Sequence, residues 1–130
     1  SEKNTTLENI IEQLESVSKE SVDETTKQEH FKKIIRELKF ELRNQNHWDE
    51  FETHFNAVHP GFYKKLNEKF PELTANDRRL SAFLKLKLST KNISSLTGQT
   101  IKSIEVARSR LRKKLSLGRE DNLFDVLERI

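Results

Sequence analysis

The sequence predicts an all-α fold, and three features of the chain support this prediction. Its 130 residues contain only three Gly and two Pro, which favours helices over the turn-rich connections of β folds. Apolar residues recur at steps of three and four along most of the chain, as they do in amphipathic helices. Hydrophobic residues make up 33% and charged residues 35%, so we expect a small core enclosed by helices that each bury one face.

Composition also limits the class of protein. The chain has no Cys, which excludes a disulfide framework and thiolate metal sites and fits a reducing, cytoplasmic compartment. No apolar run approaches the roughly 18 residues of a membrane span, and no signal peptide is visible. The chain begins at Ser1 without Met, so we expect a fragment of a longer protein.

Charge divides the chain into two unequal halves. Residues 1–59 carry 8 Lys or Arg and 13 Asp or Glu, whereas residues 60–130 carry 16 and 8. This polarity predicts an anionic partner for the second half only.

Residues 1–45 are predicted to form a helical arm. With Leu7 at heptad position a, eight of the twelve a and d positions up to Gln45 are apolar. These eight are Leu7, Ile10, Leu14, Val17, Phe31, Ile35, Leu38 and Leu42. The polar positions cluster at Ser21, Glu24 and Gln28, so we predict two helices, over residues 5–20 and 26–44, with a break between them.

The break contains two possible capping boxes, Ser21-x-x-Glu24 and Thr26-x-x-Glu29, either of which could open the second helix.

Two roles for the arm stay open. It could be a dimerising coiled coil that continues from a longer parent, or it could fold back on its own domain. Two to three heptads per helix are few for a self-sufficient coil.

Residues 46–72 are predicted to form two short helices that brace the C-terminal part. Apolar residues share one face of the first helix and recur at steps of four in the second. They are Trp48, Phe51, Phe55 and Val58, then Phe62, Leu66 and Phe70. Aromatic residues at helical spacing are usually core residues, and we interpret these as such. Pro60 is expected to end the first helix and to fit the first turn of the second.

A polar face lies opposite these aromatic residues. His47, Glu50 and His54 share it, which raises the question of a metal site. No third His stands at a matching spacing, so we interpret the face as a polar surface and predict no metal.

Residues 73–130 are predicted to form four helices. Thr74 and Asp77 suit an N-cap and a first-turn acid for the first of them. The apolar stripes of the first and last helices are Leu80, Phe83, Leu84 and Leu88, and then Leu123, Phe124, Leu127 and Ile130 over residues 122–130.

Between these lie a short helix over residues 90–96, with Ile93 and Leu96 inward, and a helix over residues 101–115. A tight turn, Thr97-Gly98-Gln99-Thr100, joins them, with Thr100 as N-cap of the second. Two helices joined by a short turn that contains Gly, the second of them basic, form a helix-turn-helix arrangement.

The helix over residues 101–115 carries an apolar stripe and a basic outer face. The stripe is Ile101, Ile104, Ala107, Leu111 and Leu115, and the basic positions up to Arg119 are 102, 108, 110, 112, 113, 114 and 119. A basic face of this kind suits the phosphate backbone of nucleic acid. The alternative is a solvated charged surface.

Residues 73–117, LTANDRRLSAFLKLKLSTKNISSLTGQTIKSIEVARSRLRKKLSL, resemble the LuxR-type (GerE-like) helix-turn-helix domain. The matching positions are Thr74 with Asp77, Lys91 with Ile93, and Ser103, Ile104, Leu111, Lys114 and Leu115. The preceding WDEFETHFNAVHPGFYKKL also resembles the segment before this domain in bacterial regulators whose upstream parts are tetratricopeptide repeats or membrane-anchored sensors. The likeness covers residues 47–130.

The resemblance implies a role for each outward residue of the helix over residues 101–115. Those implied to face base edges are Glu105, Val106 and Ser109, and those implied to contact phosphates are Lys102, Ser103, Arg110, Arg112 and Lys113. Arg108 lies at the edge of the apolar stripe and is expected to pair internally with Asp77 or Glu72.

The chain departs from the family pattern at several positions. Thr97 and Gln99 stand in the turn where the family has Leu and Ile, and Ile101 is expected to fill the space. Glu105 and Ala107 replace a common Lys and a common His. Glu105 could accept a hydrogen bond from cytosine N4 or adenine N6 in the major groove.

The function implied is that of a sequence-specific DNA-binding output domain of a bacterial transcriptional regulator. Its expected partners are double-stranded DNA and a second copy, paired through the arm or through the helix over residues 122–130. No cofactor is expected. No Gly-rich phosphate loop or catalytic constellation is visible, so we predict no enzymatic activity. The alternative is a protein-interaction module that kept the fold, no longer binds DNA and docks its basic helix on an acidic partner.

Overall fold

The computed structural model describes the backbone of residues 2–43 and 45–130 and the side chains of residues 6–43 and 47–130. Within these residues the chain forms eight helices and no strand, which confirms the all-α prediction. The heptad position predicted at Gln45 lies outside the described side chains. No helix in the described part of the chain combines the length and the apolar character needed to cross a membrane.

Two helices form the arm, α1 (Glu2–Ser18) and α2 (Glu24–Glu41), and they pack against each other. Neither predicted capping box opens α2. Asp23 caps it instead, because Asp23 Oδ1 accepts the backbone N–H of Thr26 at 2.6 Å. This hydrogen bond satisfies an N–H that has no partner within the helix, and it lowers the pKa of the Asp23 carboxyl.

The arm folds back on its own domain. α1 packs on α3 (Gln45–Val58), and α2 packs on α6 (Thr90–Thr97). The apolar heptad residues are buried in the common core, with Leu7, Leu14 and Leu38 at 0% exposure. A coiled coil of two chains through this seam therefore does not fit the structure. Burial within one chain removes the same apolar surface from water without the entropy cost of association.

The two bracing helices are α3 and α4 (Phe62–Lys69). The aromatic residues expected in the core are buried or packed against it, namely Trp48, Phe51, Phe55, Phe62 and Phe70. The Phe51 and Phe83 ring centroids lie 5.7 Å apart, which joins α3 to the C-terminal part. The placement of Pro60 in the first turn of α4 is wrong. Gly61, whose φ of 81° suits Gly, is the N-cap of α4 and follows Pro60.

The interpretation of the opposite face of α3 as a polar surface is also wrong. His47 and His54 are only 9% exposed, because the arm covers them. His54 Nδ1 lies 3.6 Å from Glu8 Oε1 of α1, and His47 Nδ1 contacts the backbone oxygen of Glu41 in α2. No group of three or more His, Cys, Asp or Glu placed to hold a metal ion occurs among the described residues.

Four helices follow, as predicted: α5 (Ala75–Lys85), α6, α7 (Ile101–Lys114) and α8 (Leu123–Glu128). α5 packs on α7 and α8, and α6 packs on α7. The predicted N-cap of α5 is confirmed, and it is a full capping box. The Thr74 N–H donates to Asp77 Oδ2 at 2.9 Å, and the Asp77 N–H donates to Thr74 Oγ1 at 3.1 Å.

Most residues of the predicted apolar stripes are buried, namely Leu80, Phe83, Leu84, Leu88, Ile93, Leu96, Ile104, Leu111, Leu115, Leu123 and Leu127. Ala107, Phe124 and Ile130 are partly buried against the core, whereas Ile101 is 47% exposed. Counted at about 100° per residue, Ile101 is rotated about 60° from Ile104 towards Glu105. It therefore lies off the stripe, and the prediction that it fills the space beside the turn is wrong.

The packing of the arm predicts that it unfolds together with the rest of the chain. We expect Leu14→Ala to lower the free energy of unfolding by about 2 to 5 kcal/mol, because Leu14 is fully buried. The adjacent exposed change Gln13→Ala should stay within about 0.5 kcal/mol of the parent chain. Urea unfolding followed by both circular dichroism and Trp48 fluorescence measures this. An unchanged Trp48 transition in Leu14→Ala would mean that the arm is an independent unit.

Candidate nucleic-acid interface

The connection between α6 and α7 is short and held by its own polar side chains. Gly98 ends α6 with φ of 78°, a left-handed conformation that favours Gly. Ser94 Oγ donates to the Gln99 backbone oxygen at 2.6 Å, and the Gln99 N–H donates to Thr97 Oγ1 at 3.2 Å. Thr100 caps α7, as predicted, by accepting the Ser103 N–H at 3.0 Å. Hydrogen bonds thus fix this turn without apolar side chains inside it.

The outer face of α7 is open to solvent along its whole length. Four exposed residues project directly away from the buried stripe, at about 100° per residue: Lys102, Val106, Ser109 and Lys113. Glu105 lies on one side of this row, and Ser103 and Arg110 lie on the other, all three exposed. Seven of the eight residues predicted to contact DNA are therefore together on one accessible surface, which we call the α7 outer face.

Arg112 is the eighth predicted contact, and it lies apart from the others. Its Nη1 donates to the backbone oxygen of Asp121 at 2.8 Å, and its Nη2 donates to that of Gly118 at 2.6 Å. The Asp121 carboxylate in turn accepts the Gly118 N–H at 2.7 Å. Arg112 thus orders the loop between α7 and α8, and two of its N–H donors are occupied by these hydrogen bonds.

Arg108 makes internal contacts, but not with the residues expected. Its Nη1 donates to Thr90 Oγ1 at 2.8 Å, and its guanidinium carbon lies 5.1 Å from the ring centroid of Phe124. The predicted pairing with Asp77 or Glu72 is wrong, because Arg108 projects between α6 and α8. Burial, with a smaller contribution from Arg112, lowers its pKa, and an Arg remains charged all the same. Arg108 fixes α7 relative to both neighbouring helices.

Lys114 takes the place that Arg108 was expected to have. Its Nζ lies 2.6 Å from Asp77 Oδ2 and joins the end of α7 to the capping box of α5. Burial of Asp77 acts to raise the pKa of its carboxyl, but the hydrogen bonds from Lys114 and Thr74 outweigh it. The pKa of Asp77 is therefore lower than usual.

Seven basic residues lie between positions 102 and 119, and the sequence predicted an internal partner for only one of them, Arg108. Three of them are used internally, namely Arg108, Arg112 and Lys114. The side chains of Lys102, Arg110, Lys113 and Arg119 are exposed and make no ion pair or hydrogen bond with any residue that the structure describes. The helical periodicity placed Arg108 at the edge of the apolar stripe, but it could not identify the partners of Arg108 and Lys114, which lie 18 and 37 residues away.

No protein-family model, curated protein or solved structure matches this chain. The resemblance of residues 47–130 to the LuxR-type domain therefore stays a prediction.

The contact between Lys114 and Asp77 predicts a pH dependence of stability. Because the pKa of Asp77 is lower in the folded chain than its ordinary value of 3.8, ionised Asp77 stabilises the fold above about pH 4. This contribution is lost as the pH falls through the folded pKa. We expect Asp77→Asn to cost about 1 kcal/mol at pH 7 and to lose less stability than the parent chain between pH 5 and pH 3.

Urea unfolding at pH 7, 5 and 3 measures both effects. Glu12→Gln, at an exposed position of α1, serves as the control and should follow the parent chain. Parallel curves for Asp77→Asn and the parent would show that Lys114 contributes nothing through this carboxylate.

Proposed function

We propose that this chain is a DNA-binding output domain of a bacterial transcriptional regulator, with α7 placed in the major groove of duplex DNA. The observation that carries the proposal is the α7 outer face. Its seven exposed residues are three cations, two hydroxyl-bearing residues, one acid and one apolar residue. An α-helix fits the major groove, and a helix that follows a short turn in this way is the usual reading element.

The residues of the α7 outer face divide by chemistry into two groups. Lys102, Arg110 and Lys113 are exposed cations without a carboxylate partner in the described chain, and they suit phosphate contacts together with the Ser103 hydroxyl. Glu105, Val106 and Ser109 suit base edges: a carboxylate for cytosine N4, a methyl-bearing side chain for the thymine methyl group, and a hydroxyl for either kind of edge. Arg112 is not among the proposed phosphate contacts, because two of its N–H groups are hydrogen-bonded to the loop after α7.

The internal contacts of α7 support this role because they hold it at a fixed angle. Arg108 connects it to α6 and α8, and Lys114 connects it to α5. A recognition element needs side chains that keep their positions relative to the phosphates, since misplaced side chains lose the bidentate geometry of base contacts. The four helices α5 to α8, together with the sequence resemblance of residues 73–117, support a LuxR-type module, which we propose as the family.

Pairing of two chains on DNA is part of the proposal, because modules of this kind bind two half-sites about one helical turn apart. The arm seam is occupied within the chain. We therefore place the pairing at α8 or on the DNA itself rather than at the heptad residues.

A second candidate is a protein-interaction module that uses the same helix. Ile101 and Val106 are exposed by 47% and 38%, and exposed apolar residues on a basic helix would also suit an acidic protein partner. The two functions differ in their response to salt and to DNA sequence.

Salt dependence gives the first test. Three phosphates neutralised by Lys102, Arg110 and Lys113 predict a slope of about −3 for log K against log salt, per chain on duplex DNA. Lys113→Gln should reduce the magnitude of this slope by about one unit. Lys64→Gln, at an exposed position of α4, is the matched control and should leave the slope unchanged. Absence of binding at low salt would exclude the DNA function.

Base preference gives the second test. We expect Glu105→Ala and Ser109→Ala to change the preferred base at one position each by about 1 to 3 kcal/mol. Selection from a random duplex pool, with the parent chain and each variant, shows the preferred sequences side by side. If Glu105→Ala tightens binding to every sequence equally, Glu105 is a repelled charge and reads no base.

A further inference from the structure

A cleft of about 560 Å³ lies beside α7, between α3, α5 and the turn that leads from α6. Its size falls within the range of small-molecule sites, roughly 300 to 1,000 Å³. Apolar side chains from four helices form its inner wall: Trp48, Leu80, Phe83, Ile93, Ile104 and Ala107. The cleft shares only Arg110 with the α7 outer face, because its other α7 residues, Ile104, Ala107 and Lys114, do not belong to that face.

Three cations also line the cleft, Arg79, Arg110 and Lys114, with a single carboxylate, that of Asp77. Lys114 is paired with Asp77 at 2.6 Å. Arg110 is exposed and has no carboxylate partner among the described residues. The lining therefore combines an apolar wall with positive charge that is not neutralised within the cleft.

Arg79 is only partly engaged by other residues. Its guanidinium carbon lies 4.9 Å from the Trp48 ring centroid, and its side chain is 27% exposed. Its Nε is buried and has no hydrogen-bond partner among the described residues, although Glu52 Oε1 lies 3.5 Å away. The buried Nε is therefore closed to a ligand, whereas the two Nη groups of Arg79 make no hydrogen bond with a described residue and belong to a side chain that lines the cleft.

We propose that this cleft binds a small aromatic carboxylate. The ring would lie against the indole of Trp48 and the side chains of Leu80 and Phe83, and the carboxylate would accept hydrogen bonds from Arg79 and Arg110. Arg carries a fork of donors that fits a carboxylate, and such charge-assisted bonds are the strong ones.

A ligand in the cleft would also act on α7. Arg110 is one of the proposed phosphate contacts, so a bound carboxylate would compete with DNA for the same guanidinium. This consequence rests on the proposed DNA function, whereas binding of the carboxylate itself does not.

Trp48 is the only Trp of the chain, so its indole N–H gives one signal in an ¹⁵N-correlated NMR spectrum of the full chain. Naphthalene-1-acetate serves as the probe, and its neutral isostere naphthalene-1-acetamide serves as the ligand control. We expect the acetate to move the Trp48 signal in a saturable way and to bind about tenfold or more tightly than the amide, since one hydrogen bond to a charged group supplies about this factor.

Two variants separate charge from shape. Arg79→Gln should weaken binding of the acetate about tenfold while leaving that of the amide nearly unchanged. Ala107→Leu, which fills the cleft from α7, should weaken both ligands. Lys64→Gln, outside the cleft, should bind like the parent chain. Inorganic phosphate should leave the Trp48 signal in place, because it has no ring to lie against the apolar wall.

Several results would overturn the proposal: no saturable shift of the Trp48 signal, equal affinity for the acetate and the amide, unchanged acetate binding in Arg79→Gln, or an equal effect of inorganic phosphate. Failure of the DNA function has a different signature. In that case the chain would bind the acetate with the expected variant pattern and would bind no duplex at low salt.

Discussion

The packing of the arm on α3 and α6 is the contact on which the rest of the structure depends. The domain is rich in charge and poor in apolar residues, so α3 to α8 alone would leave much of their apolar surface exposed. α1, α2 and the C-cap residue of α2 supply ten of the buried apolar residues: Leu7, Ile10, Ile11, Leu14, Val17, Phe31, Ile34, Ile35, Leu38 and Leu42. The arm is therefore part of the core and not an appendage to it.

This contact also joins the N-terminal half of the chain to the C-terminal half. α2 packs on α6, and α6 leads through the turn at Gly98 directly into α7. One helix and one turn therefore separate the arm from α7. Carboxylates and imidazoles line the same boundary, with Glu15 Oε2 and His59 Nε2 at 2.9 Å and with His54 beside Glu8. Two carboxylates of α1 thus lie beside imidazoles in α3 and directly after it.

The basic residues of α7 divide into two groups by their contacts. Arg108, Arg112 and Lys114 stabilise the placement of α7 through hydrogen bonds to Thr90, to the loop after α7 and to Asp77. The side chains of Lys102, Arg110 and Lys113 are exposed and have no ion-pair partner in the described chain. Three of the six basic side chains of α7 therefore hold the helix in place, and the other three have no partner in the described chain. A count of basic residues alone overstates the number of unpaired cations.

The sequence by itself determined the eight helices, most of the residues that they bury, and the caps at Thr74 and Thr100. Each of these follows from periodicity and from hydrogen bonds between residues at most four apart, which are local properties of the chain. The α7 outer face belongs to the same class, since a helix with a buried stripe must expose its other side. Only the tertiary structure decided that the heptad seam is covered by α3 and α6 rather than by a second chain, because both arrangements bury the same stripe. It also decided which cations are free and that Trp48, Arg79 and Arg110 border one cleft, because those contacts join residues that are distant in sequence.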